Sequence, residues 1–179
     1  MKRNPYFTIW FRPGTTIEAC LKNRKGHIVH VPLIIASISG AWGNDIAGLF
    51  GYGLPETLIV TFILSALAYL LLGYFVPWWI LFFGKIWKGK GKFNQMQMVI
   101  GLANIPMVFI LLYQIVALAV GETLVDEHVS YAVQFITWIF YVRTLIVGTA
   151  KIQGFWYGLA LVNIILSILP FFIIRLMMG

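Results

Sequence analysis

His27 and His30 stand three residues apart, a spacing that sets two imidazoles on one helical face and begins a zinc site. No cysteine, aspartate or glutamate lies close enough in sequence to complete it, and His128 stands alone in an acidic segment. Gly89-Lys90-Gly91-Lys92-Phe93 has the glycines and lysines of a phosphate cradle. It lacks the first glycine of the phosphate-loop spacing and the Ser or Thr after the lysine, so it reads as a flexible basic loop resting on anionic lipid. His-Glu-x-x-His and Gly-x-Ser-x-Gly are missing, as are paired aspartates within the later apolar stretches. That argues against the common intramembrane proteases. The single Cys20 excludes an intrachain disulfide. The sequence predicts no enzyme activity, no metal site and no cofactor.

The other chemistry-bearing groups are polar residues set in apolar sequence, where an amide or carboxylate is expensive without a partner. They are Asp45, Asn104, Gln114 and Asn163, with Pro106 two residues after Asn104. Pro106 has no N–H for the carbonyl of Leu102 and bends its helix, and Asn104 stands within reach of the opening. Two readings follow. One is a kink held by a hydrogen bond to a neighbouring helix. The other is a ligand- or ion-contacting break of the kind transporters use, with Asn163, Gln114 and Asp45 completing a polar intramembrane site. Asp45 lies near the outer end of its stretch, where it reads as an interfacial carboxylate or as a proton or cation site.

These groups need elements to hold them, and the composition names the kind. The chain is 60% hydrophobic and 11% charged, with a mean hydropathy of +0.88, against roughly 45–50% and about 25% in soluble domains. Five stretches, 31–50, 57–83, 96–120, 129–148 and 155–178, reach the ~20 apolar residues that cross a bilayer. The expected fold is all-α: a bundle of five transmembrane helices over 31–179, preceded by a cytoplasmic basic segment over 1–30. Pro77 predicts a kink in the second stretch, with Trp78 and Trp79 at the interface. Gly40, Gly43, Gly48 and Gly51 predict close helix approach in the first.

The net charge of +7 is spread over connectors, which excludes a nucleic-acid face. Lys2, Arg3, Arg12, Lys22, Arg24 and Lys25 precede the first stretch, and Glu56 follows it. Lys85, Lys88, Lys90 and Lys92 follow the second, Glu122, Asp126 and Glu127 the third, and Lys151 the fourth. The alternation places the amino terminus in the cytoplasm and the carboxyl terminus outside. Arg143, two turns before Lys151, reads as a snorkelling cation, as does Arg175 on the far side.

The amino-terminal segment mixes aromatics and cations between Pro5 and Pro13, which disfavour a helix running through it. Thr15-Thr16-Ile17-Glu18 offers a capping box for a short amphipathic helix over 17–25 that stops at Gly26. It lies on anionic inner-leaflet lipid, or it docks a cytoplasmic or membrane protein partner. Trp10, Arg12, Lys22, Arg24 and Lys25 then share one candidate surface with Lys85, Lys88, Lys90 and Lys92. A homo-oligomer is compatible with this pattern.

Three blocks of the chain carry a resemblance. They are Asn4-Pro5-Tyr6 through Ile9-Trp10-Phe11-Arg12-Pro13 to Thr16-Ile17; the Gly-Lys-Gly-Lys-Phe loop leading into Leu102-Ala103-Asn104-Ile105-Pro106; and Ile152-Gln153-Gly154-Phe155-Trp156-Tyr157-Gly158-Leu159-Ala160-Leu161-Val162-Asn163. In this order they resemble the prokaryotic members of the Yip (Ypt/Rab-interacting protein) domain family. The resemblance implies a five-span membrane scaffold or adaptor in a prokaryotic cell membrane. Eukaryotic members bind prenylated Rab-type GTPases in vesicle trafficking, but their Asp-Leu-x-Gly-Pro signature is absent here, so Rab binding is not carried over.

Overall fold

The computed structural model describes residues 4–23, 27–42, 54–120 and 127–178, and among these the fold is helical throughout, without a strand. Asp45, Arg24 and Lys25 lie outside the described residues, as do Gly43, Gly48 and Gly51.

The amino-terminal segment departs from expectation. Pro5 and Pro13 each open a helix, α1 (Pro5–Phe11) and α2 (Pro13–Lys22). A first-turn proline gives up an N–H that has no helical acceptor anyway, and its fixed φ suits the helix. The Asn4 side chain caps α1 by accepting from the Tyr6 N–H at 3.0 Å. The expected capping box is not used. Thr15 and Thr16 both donate to the Arg12 carbonyl, at 3.1 and 2.9 Å, and Glu18 pairs elsewhere. Thr16 also bonds Thr8 at 2.9 Å, folding α1 against α2.

The long helices follow. α3 spans His27–Trp42 and α4 spans Leu54–Leu70. A π-helical turn, Leu71–Phe75, carries α4 into α5 (Val76–Ile86). Pro77 therefore does not break the second stretch. The wider π turn absorbs it, and Glu56–Ile86 remains one membrane-length helix. Pro106 does break its stretch: α6 (Phe93–Ala103) and α7 (Met107–Val120) meet at 41° across residues 104–106. α8 (Glu127–Gln153) and α9 (Tyr157–Met178) complete the chain.

By length and composition, two helices among the described residues can cross a membrane, Glu56–Ile86 and His128–Gln153, or three if the bent α6–α7 pair is one span. The apolar parts of α3 and α9, Val29–Ala41 and Tyr157–Pro170, fall short of that length. The outward faces of α4 and α8 suit lipid: Ile59, Phe62, Phe135 and Ile139 are large, apolar and exposed.

α6 is the central element. Met96, Val99, Ile100, Leu102 and Ala103 are fully enclosed by α2, α3, α5 and α8. Two glycines let backbones approach. A Cβ on Gly101 would lie 2.9 Å from the Val29 backbone of α3, and one on Gly148 of α8 would lie 2.4 Å from Val99. Gly40, expected in that role, faces open space.

Candidate functional site: a basic face on the end of the fourth long helix

The carboxyl end of α8 gathers the site. The helix stops in a glycine-capped turn, with Gly154 at φ 76 and the Phe155 N–H returning to the Ala150 carbonyl at 2.9 Å. Just before that stop, Gln153 is 2% exposed. Its backbone carbonyl accepts from the Lys90 N–H at 3.1 Å, and its side-chain Oε1 accepts from the Gly91 N–H at 3.4 Å.

The loop that receives Gln153 has a matching shape. α5 ends with the Gly89 N–H on the Gly84 carbonyl at 2.9 Å and the Lys88 N–H on the Lys85 carbonyl at 3.0 Å. This double-bonded stop needs a left-handed residue, and Lys88 fills it at φ 58, where glycine is the usual choice. A Cβ on Gly84 would sit 2.2 Å from the Gln153 amide, and one on Gly89 would sit 2.0 Å from it. The glycines thus form a slot, and the Gln153 amide fills it. Lys85, Lys88, Lys90 and Lys92 all stand exposed around that slot. Gln95 Oε1 accepts from the Lys92 N–H at 3.0 Å and starts α6 immediately after.

The amino-terminal helices reach the same end of α8. Glu18 of α2 pairs with Lys151, and Gly14 packs on the Lys151 side chain. Ile17 and Cys20 are buried, while Arg12 and Lys22 are exposed. The structure thus brings α2, through Glu18 and Lys151, and the lysine loop, through Gln153, to the same end of α8.

Trp10 goes elsewhere. Its ring stands edge-on to Phe109 of α7 and Phe140 of α8, with centroids 5.2 and 4.9 Å away, and Arg143 donates to its carbonyl at 3.1 Å. The aromatic ring found apolar partners between two long helices and left the basic face. Arg143 is tied to backbone rather than reaching only for headgroups.

Among the described residues, the polar side chains within the apolar stretches take separate hydrogen-bond partners. Asn104 folds back to donate to the Ile100 carbonyl at 2.8 Å, rather than to that of Leu102, which accepts from the Ile105 N–H at 3.3 Å. Gln114 of α7 donates to the Ser39 carbonyl of α3 at 3.1 Å. Asn163 of α9 donates to the Ile80 carbonyl of α5 at 3.2 Å. Both asparagines are at most 2% exposed. His30 Nδ1 pairs with the Tyr69 hydroxyl at 2.7 Å.

Sequence reasoning missed three ties. Gln97 Nε2 donates to the Gly73 carbonyl at 3.0 Å, Trp79 Nε1 donates to the Ser167 carbonyl at 2.7 Å, and Gln153 fills the glycine slot. Trp79 is therefore a helix-to-helix donor. The signal for the slot was present in Gly84, Gly89 and Gly91, since glycines set around a buried amide mark a close approach. Comparison of the chain with protein-family models, with curated proteins and with solved structures returned no match.

Proposed function

We propose that the chain is a non-enzymatic membrane scaffold or adaptor that works through its basic face. In this reading it crosses the bilayer five times, with the amino terminus in the cytoplasm, and it is of the Yip-domain type. The observation that carries the reading is the joining of two distant basic segments onto α8, one through Glu18 and Lys151 and the other through Gln153. A merely topogenic charge cluster needs no such framing. Lys88 adds to the argument, because a lysine held at φ 58 carries a backbone cost of roughly 1–2 kcal/mol that glycine would not. The face fits anionic inner-leaflet lipid or an acidic protein surface, each lysine contributing about 1 kcal/mol at a charged membrane.

The polar residues of the spans support the same reading over transport. Gln114 and Asn163 each bond a backbone carbonyl on another helix, and Asn104 bonds its own. These are the ties of a packed bundle.

The test is crosslinking in native membranes, comparing the wild type with a variant carrying Lys85→Glu, Lys88→Glu, Lys90→Glu and Lys92→Glu. The reading expects a partner or anionic lipid that is recovered with the wild type and lost with the variant. Identical recovery by both would sink it. A solute flux that disappears in Asn163→Leu would favour transport instead.

A further inference from the structure

Arg143 has a setting that the basic face does not explain. It stands ten residues, about 15 Å, before the end of α8 and two turns deeper than Lys151. Among the described residues, α8 is one of the two helices long and apolar enough to span a bilayer, and Arg143 stands on its exposed face. It is exposed, and one of its five N–H groups goes to the Trp10 carbonyl. Among the described residues the ion pair formed is Lys151 with Glu18, and no carboxylate answers Arg143. A cation so placed is costly unless an anion reaches it.

Beside it runs an apolar groove of about 550 Å³, walled by Phe135, Ile139, Val142 and Ile146 of α8 and by the stem of Arg143. These wall residues extend over twelve positions, about 17 Å of helix. Tyr157, exposed at the start of α9, lines the groove near the end of α8 that carries the basic face. An occupant must bring a long hydrocarbon chain to the groove and an anion to Arg143 in one molecule. Among the described residues, a second copy of the chain in the same orientation offers Glu18, already paired with Lys151, and Glu56 and Glu127 at the starts of their helices. The exposed carboxylate of Glu56 lies about 40 Å along its helix from Gly84, which packs at the level of Gln153.

We propose that this groove holds one acyl chain of an anionic phospholipid, with the lipid phosphate on the free edge of the Arg143 guanidinium. Arginine suits the role, because its planar fork takes phosphate oxygens two at a time. The site is separate from the loop lysines and does not depend on the scaffold reading. It requires only that α8 lies in a bilayer.

The experiment is native mass spectrometry of the full-length protein in neutral detergent, with phosphatidylglycerol and phosphatidylcholine added in equal amounts. The wild type retains one phosphatidylglycerol in preference to phosphatidylcholine by at least about tenfold, the scale of a charge-assisted contact. Arg143→Gln keeps a donor for the Trp10 carbonyl but removes the charge, and it loses the preference. Ile139→Trp fills the groove and loses both lipids. Lys88→Gln with Lys90→Gln removes lipid held at the basic face, and the loss caused by Arg143→Gln is the same in that background.

Equal retention of the two lipids by the wild type overturns the proposal, as does a preference that survives Arg143→Gln. A preference lost only in the loop variant moves the lipid to the basic face and also overturns it, leaving the scaffold reading untouched. A dimer that Ile139→Trp dissociates assigns the groove to a protein helix and overturns it too. Should Arg143→Gln fail to fold, wild-type protein is photolabelled with a phosphatidylglycerol whose acyl chain carries a diazirine. Crosslinks within 135–146 support the site, and crosslinks confined to other segments overturn it.

Discussion

Gln97 Nε2 donates to the carbonyl of Gly73 at 3.0 Å, and Pro77 is the reason that carbonyl needs a donor. A proline four residues on has no N–H to return, and the π turn shifts the register without restoring one at that position. The tie runs between α6, the central helix, and the long α4–α5 stretch. It places a side-chain amide at the one weak point of a membrane-length helix.

Gln97→Leu should therefore lower stability by about 1–3 kcal/mol, the cost of a part-buried acceptor left unmet. In a Pro77→Ala background the same substitution should cost much less, because the alanine N–H can serve the helix. Thermal unfolding in one detergent, run as a double-mutant cycle, reads the coupling. Equal costs in both backgrounds would contradict the assigned role of Gln97.

Gly89→Ala places a methyl group 2.0 Å from the Gln153 amide and should destabilise by about 1–3 kcal/mol. Gln153→Ala empties the slot, so the two changes together should cost less than their sum. Trypsin cutting at Lys88 and Lys90 should accelerate in Gly89→Ala and return toward the wild-type rate in the double variant. The measurement separates a clash at the slot from a general loss of helix.

Lys88→Gly relieves the left-handed lysine and should raise stability by about 1 kcal/mol. It also removes one exposed cation, which should weaken flotation with anionic vesicles about fivefold. The opposite signs are the point. A variant that gains stability and keeps full vesicle binding would remove Lys88 from the basic face.

Glu56–Ile86 is long enough to cross the bilayer, so its ends should face opposite sides. Starting from Cys20→Ser, single cysteines at Glu56 and at Lys90 are labelled with an impermeant maleimide in intact cells and in inverted vesicles. Each position should react from one side only, and the two sides should differ. Reaction of both from one side would refute the crossing and the orientation read from the lysines.

How far the fold was legible can be judged at its prolines. Pro106 produces the break expected of it, because Asn104 and Ile105 already leave the helical ladder there. Pro77 looks the same in sequence, yet the helix continues through it on a π turn and a borrowed donor from Gln97. Pro5 and Pro13 start helices where a break was expected, since a first-turn position removes the penalty. Apolar length shows where helices run, but partner choice depends on residues far away in sequence. Gln153 meets a loop 62 residues earlier, and Trp10 meets a ring 130 residues later. No local pattern encodes such a meeting. Loop charge shows which segments are basic, while the seat of Trp10 is decided by Phe109 and Phe140.

The Gln153 slot also sets an order of events during synthesis. The loop lysines leave the ribosome 62 residues before the amide that shapes their loop, a delay of about 3–12 s at ordinary elongation rates. Through that interval the loop has its charge but not its form, and α2 likewise waits for Lys151. Charge alone can orient the helices as they insert. The finished surface appears only when the end of α8 arrives, so a chain truncated before residue 151 would carry the lysines without the frame that shapes them.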